Sequence, residues 1–185
     1  MNDTLSSSGV AASCACARTR SWDNVGVRLA MVCLGNICRS PMAAAVAAAM
    51  IEQAGLSDDV TVESFGTAGY HAGEGIDPRA EAALLRGGWP SGGHRARRLG
   101  RDDIAAMDLV LCADRDNLAD VRRLAVCESD LGKIALLRSY DPDSFPGDDE
   151  VPDPWGSDDA EFDQVLALIE QACRGLVGQL ARAPR

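Results

Sequence analysis

An α/β architecture, one three-layer domain with a four-stranded parallel sheet flanked by helices, is what the sequence implies, on three observations. Short apolar runs alternate along the chain with stretches that carry helix start and stop residues, the pattern of βαβ units. The runs are mostly continuous, as in strands covered on both faces. The first run ends at a cysteine, and a short glycine-containing loop leads straight into a helix start.

The four expected strands are VRLAMVC (27–33), VTVESFG (60–66), DLVLCA (108–113) and KIALLRS (133–139). Helices are expected between and after them. PMAAAVAAAMIEQAGL begins at Ser40-Pro41 and stops near Gly55, and DPRAEAALLRGG begins at Asp77-Pro78 and stops at Gly87. Both carry a capping residue, proline at the first helical position and a glycine stop. RDDIAAM and RDNLADVRRLA are shorter helices around the third strand. The closing stretch from Asp158 places Phe162, Val165, Leu166, Ile169, Cys173, Leu176 and Leu180 on one helical stripe. The segment SYDPDSFPGDDEVPDPWG (139–156) has neither period. A loop of that length in a compact domain is functional or disordered. Apart from Asp153, its acidic residues read as a solvated loop, and Arg95, Arg97, Arg98 and Arg101 as a solvated helix face.

The chain of 185 residues suffices for one hydrophobic core, and 46% of it is hydrophobic. No apolar run reaches the roughly 18 residues of a membrane span, so no membrane partner is expected. A net charge of −10 excludes a general nucleic-acid binder. It leaves room for a small anion site, which needs only local positive potential. Lys133 is the sole lysine, a bias expected of a GC-rich bacterial source. The 7 cysteines are odd in number and scattered, and no secretory signal precedes them, which implies a reducing, cytoplasmic setting. Residues 1–26 are rich in Ser, Ala and Gly and read as a disordered tail, leaving 27–185 as the domain. Cys14 and Cys16 have no second ligand pair near them, so no metal is expected there.

The loop between Cys33 and Arg39 is the informative stretch. Gly35 and Asn36 tolerate left-handed backbone, which turns successive N–H groups inward. The helix N-terminus behind them adds unpaired donors and partial positive charge. Together they form an anion cradle, and Arg39 adds a planar two-pronged donor suited to phosphate. Helix N-termini and neighbouring cations also favour the thiolate of a cysteine. Cys33 at the mouth of the cradle therefore reads as a nucleophile that attacks phosphorus. The lysine and second glycine of a Walker loop are missing, so no nucleotide is implied.

The stretch CLGNICRSPMAAAV resembles the signature of the low-molecular-weight protein tyrosine phosphatases. The resemblance continues in order through SFGTAGYHAGEGIDPRAEAALLRGGW, HRARRL, DLVLCADRDNL, LLRSYDP and VPDPWG. It implies hydrolysis of protein phosphotyrosine through a phosphocysteine at Cys33, with Arg39 binding phosphate and Asp153 acting as acid and then base. It further implies that Leu34, Gly35, Asn36, Ile37 and Cys38 wrap the phosphate, with Tyr70 and Trp155 walling the ring slot. Ser40 would stabilise the thiolate, and Ser64 and His94 would support a strained Asn36. Ile37 matches the bulky residue of tyrosine-specific members, whereas arginine-phosphate phosphatases carry threonine there. Cys38 matches a second loop cysteine, either a reversible disulfide partner for Cys33 or a small buried residue ending the loop. Many relatives carry two aromatics after Asp-Pro, whereas Gly156 follows Trp155 here.

The implied partners are phosphotyrosine proteins, with inorganic phosphate as product and inhibitor, no cofactor, and a monomeric state. Two alternatives stand beside this reading. One is a thioredoxin-coupled arsenate reductase on the same fold, with Cys112 or Cys127 as relay. The other is a non-catalytic redox or anion-binding module.

Overall fold

The computed structural model describes residues 26–183. The expected disordered tail lies outside these residues except for Gly26. Strands Val27–Cys33 (β1), Val60–Gly66 (β2), Leu109–Cys112 (β3) and Ile134–Leu136 (β4) form one parallel sheet in the order β2-β1-β3-β4. The helices are Arg39–Gln53 (α1), Pro78–Arg86 (α2), Arg101–Ala106 (α3), Arg115–Leu124 (α4), Glu128–Leu131 (α5) and Asp159–Arg182 (α6).

Alternation along β1 separates the layers. Leu29, Met31 and Cys33 face a core built with α1, α2 and α6, which includes Val46, Leu84, Phe162 and Ile169. Ala30 and Val32 face the other side, against Leu99, Ile104, Met107 and Val121. The expected stripe on α6 is buried from Phe162 to Leu176, while Leu180 is only partly covered. Strand order reverses between β1 and β3, and such a switch point opens a crevice beyond the strands' carboxyl ends.

Four local expectations change. The fourth strand ends at Leu136 instead of 139, because the chain turns into a 3₁₀ helix at Leu137–Tyr140. That turn buries Arg138, which pairs with Asp141 at 3.4 Å and Asp148 at 3.3 Å and donates to Glu150 O at 3.1 Å. Arg115 likewise pairs with Asp149 and Glu150. Arginines thus engage four of these carboxylates and Asp141 is buried, while Asp143 and Asp148 stay exposed. The arginines at 95–98 lie on an irregular segment beside β2, where Arg98 bridges Gly66, and not on a helix face. Finally, α1 begins at Arg39, with Cys38 in place of Ser40 as the capping residue.

The turn at Tyr140 and α6 touch through a glycine. A Cβ at Gly175 would lie 1.8 Å from Tyr140 O. Alanine normally gains ~1 kcal/mol over glycine inside a helix. Here overpacking outweighs that gain, and Gly175→Ala should destabilise the domain by about 1–3 kcal/mol, read from the urea midpoint.

Candidate active site

β1 ends by delivering Cys33, 2% exposed, to the carboxyl edge of the sheet. Asn36 N donates to Cys33 Sγ at 3.3 Å, and Ser40 Oγ stands 3.0 Å from the same sulfur. Ser40 lies within the first turn of α1, so its hydroxyl faces the loop instead of capping the helix. It also accepts from Asn36 Nδ2 at 2.9 Å and lies 3.2 Å from Phe65 O. The start of α1 has no side-chain cap and no acidic residue in its first turn. By contrast α2, α4 and α6 each begin under a capping aspartate. The positive end of α1 is left for the loop.

The loop holds its shape through Asn36, the one non-glycine residue with positive φ (58°) among the described residues. This conformation is sparsely populated and persists where surroundings over-determine it. Asn36 Nδ2 donates to Ser64 Oγ at 3.0 Å, and Arg97 N donates to Asn36 Oδ1 at 2.9 Å. His94 Nε2 donates to Asn36 O at 2.7 Å. Burial, with Arg97 and Arg95 nearby, holds His94 below its ordinary pKa against the pull of that hydrogen bond. Because its partner is a carbonyl, the ring carries a proton on Nε2. Arg97 is steadied by Phe65, whose ring its guanidinium covers at 4.1 Å, and by Glu63. Gly66 lets the next strand end pass closely, since a Cβ there would come within 2.7 Å of Leu34 O.

Arg39 is 3% exposed and spans the site. Its Nη1 donates to Asp114 Oδ2 at 2.5 Å and Val151 O at 3.1 Å, and Nη2 donates to Asp153 Oδ2 at 2.7 Å. Burial opposes its charge, but Cys33, Asp153 and Asp114 outweigh that and hold its pKa above the ordinary value. Burial also pushes the Cys38 thiol up to about 12, helped by Asp77, Cys33 and Asp153.

Above the sulfur opens a cavity of about 300 Å³. Leu34, Gly35, Ile37, Cys38 and Arg39 line its base, and Tyr70, Trp155, His71 and Asp153 its walls. Tyr70 and Trp155 are 63% and 64% exposed, as rings framing an open slot would be. Trp155 N donates to Asp153 Oδ1 at 3.2 Å.

The structure thus places Cys33, Leu34, Gly35, Ile37, Cys38, Arg39, Tyr70, Asp153 and Trp155 on one cavity, Asn36 and Ser40 at the sulfur, and Ser64 and His94 on Asn36. Two neighbours escaped the sequence reading. Asp114 looks like a helix cap, and its Oδ1 does accept from Asn117 N at 2.7 Å, yet its other oxygen holds Arg39. Its place just past β3 was the one signal for it, because ligands gather at strand ends. His71 stands edge-on to Tyr70 with 4.9 Å between ring centroids, and it is tied to Glu74 Oε2 at 2.8 Å. Its neighbour Tyr70 was the only hint. No group of three or more His, Cys, Asp or Glu side chains among the described residues is arranged to hold a metal ion.

A family model described as low molecular weight phosphotyrosine protein phosphatase matches residues 28–185. A Streptomyces coelicolor protein named low molecular weight protein-tyrosine-phosphatase is 46% identical over 150 residues, spanning 81% of this chain and 91% of its own. The Homo sapiens low molecular weight phosphotyrosine protein phosphatase is 36% identical over 150 residues, with 79% and 90% covered. The crystal structure of a protein tyrosine phosphatase from Entamoeba histolytica, with Hepes in the active site, aligns with a TM-score of 0.79 at 30% identity. That alignment covers 84% of this chain and 97% of the other. With its Cys33–Arg39 loop at the end of β1 and a match that runs through α6, this chain belongs to the low molecular weight phosphotyrosine protein phosphatase family.

Proposed function

We propose that this member of the family hydrolyses protein phosphotyrosine in two steps, with Cys33 as nucleophile and Asp153 as acid and base. The observation that carries the reading is the convergence of Arg39 and Asp153 on the cavity over Cys33 Sγ, which Asn36 N–H and the Ser40 hydroxyl attend. Ser40 and the loop amides favour the thiolate, and Arg39 with the amides of Leu34–Cys38 receives the equatorial phosphate oxygens. An entering dianion competes for Arg39 Nη2, which frees Asp153 to face the ester oxygen.

In the first step the thiolate attacks phosphorus. The bond from phosphorus to the phenolic oxygen breaks, and Asp153 gives its proton to that oxygen. In the second step Asp153 takes a proton from water as the water oxygen attacks phosphorus. The S–P bond breaks, and inorganic phosphate leaves with the thiolate restored. Asp114 is a positioning residue that orients Arg39. Tyr70, Trp155 and Ile37 shape a slot for a planar phenol, where ring contacts contribute about 0.5–1.5 kcal/mol beyond burial.

Phosphotyrosine proteins are the substrates in this reading, inorganic phosphate is both product and competitive inhibitor, and the domain works as a monomer. Among the described residues, Cys33, Cys38, Cys112 and Cys173 are free thiols, and a cytoplasmic setting belongs to this reading. No helix among the described residues is long and apolar enough to cross a membrane.

An arsenate-reductase relay finds no support in the cysteine positions. Cys112 pairs with Val32 across the strands and so faces the opposite layer from Cys33. Cys127 precedes α5, near the amino end of β4. A purely anion-binding module leaves Asp153 and the aromatic walls without a role.

Three outcomes test the proposal. Cys33→Ser should bind vanadate yet lose turnover of p-nitrophenyl phosphate by at least about 10⁴-fold. Asp153→Ala should lower kcat/KM for phenyl phosphate by about 10²–10⁴-fold and that for an ester with an activated leaving group far less. The buried thiols of Cys38, Cys112 and Cys173 are each pushed up to about 12. Iodoacetate at pH 7 should therefore spare them and mark Cys33, with phosphate protecting it, as peptide mapping would show.

A further inference from the structure

Two loops must meet over the substrate. One is the phosphate loop that starts at Cys33, and the other carries Asp153 and Trp155. Arg39 joins them from beneath, through Val151 O and Asp153. A second connection runs around the side of the cavity, through the first turn of α2.

Asp77 N donates to Ile37 O at 2.8 Å, which fastens the start of α2 to the phosphate loop. The Asp77 carboxylate grips Arg79 with both oxygens, accepting from Nε at 3.1 Å and from Nη2 at 2.9 Å. Arg79 Nη1 then donates to Ser157 O at 3.1 Å. Ser157 closes the turn that presents Trp155, because Ser157 N donates to Pro154 O at 2.9 Å. Gly156 sits in that turn with φ of 90°, the glycine position of a type II turn. The guanidinium lies 4.9 Å over the ring of Phe162, which is fully buried in α6, so its plane is set from below. The hydrogen bonds from Arg79 hold the Asp77 carboxyl below its ordinary pKa, so the fork stays ionised throughout the neutral range.

We infer that Asp77 and Arg79 are a positioning clamp for the reaction proposed above, setting Asp153 and Trp155 in register over the phosphate loop. Neither side chain touches the reacting atoms. The inference rests on Asp153 being the acid and goes beyond it by naming what fixes the acid's distance from the leaving oxygen. Proton transfer is steep in distance, so a loosened loop slows reactions that need the proton and leaves the others nearly intact.

Arg79→Gln and Arg79→Lys test the clamp. The backbone N–H of Arg79 still caps α2 through Asp77 in both variants, so the helix start survives. The measurement is kcat/KM, which reports the first step alone, across aryl phosphates whose phenols differ in acidity, with Asp153→Ala as control and circular dichroism to verify the fold. In Arg79→Gln, kcat/KM for phenyl phosphate should fall about tenfold and that for an activated ester by less than about twofold, steepening the leaving-group dependence. Inhibition by phosphate should be unchanged. Arg79→Lys reaches Ser157 O without the two-pronged grip on Asp77, and it should restore part of the slope. A wild-type slope in Arg79→Gln beside a steep one in Asp153→Ala overturns the clamp alone, even if melting temperature drops. A wild-type slope in Asp153→Ala overturns the acid assignment beneath it.

Discussion

Unpaired N–H groups at the start of α1, with no acidic side chain to answer them, are the constraint on which the site is built. Elsewhere aspartates meet the same demand, with Asp77, Asp114 and Asp158 capping α2, α4 and α6. At α1 no side chain does so, and in the loop just ahead of it the Cys33 sulfur accepts from Asn36 N–H. Ser40 would serve as a cap in most helices. Here it lies inside the first turn and lends its hydroxyl to the sulfur and to Asn36.

Such a loop does not hold its shape alone. Asn36 sits in left-handed backbone, and the contacts that keep it there come from Ser64 at the end of β2 and from His94 and Arg97 well downstream. The left-handed conformation is thus a property of the folded domain, not of the short turn by itself. The same dependence explains why β2 closes on glycine, where the loop's own carbonyl would meet any side chain. Packing around the sheet edge and chemistry at the sulfur are in this sense one construction.

How much of this the sequence discloses follows from distance along the chain. Cys33, Asn36, Arg39 and Ser40 stand within one strand–loop–helix unit, so their joint meaning is readable from local rules. Asp153 is different. Asp141, Asp143, Asp148, Asp149 and Glu150 precede it, and only the family pattern singles it out. The structure supplies the physical distinction: Asp141 and Asp148 are engaged by Arg138, Asp149 and Glu150 by Arg115, and Asp153 reaches Arg39 at the cavity. Asp114 is hidden by its second role as a helix cap, and its contact with Arg39 exists only because β3 lies beside β1. The last strand reads too long for a similar reason. Arg138 leaves the sheet to serve carboxylates that come later in the chain.

Arg39 has a neighbourhood that shapes how a substrate arrives. The guanidinium is buried and sits between two carboxylates, in a chain whose net charge is −10. Seen from beyond a Debye length, about 8 Å at physiological ionic strength, the site does not look positive. Arg39 therefore exerts little long-range pull, and it acts on an anion at contact distance, once that anion is already inside the slot. Contact geometry in the slot, and not a far-reaching field, is thus what selects an anion there.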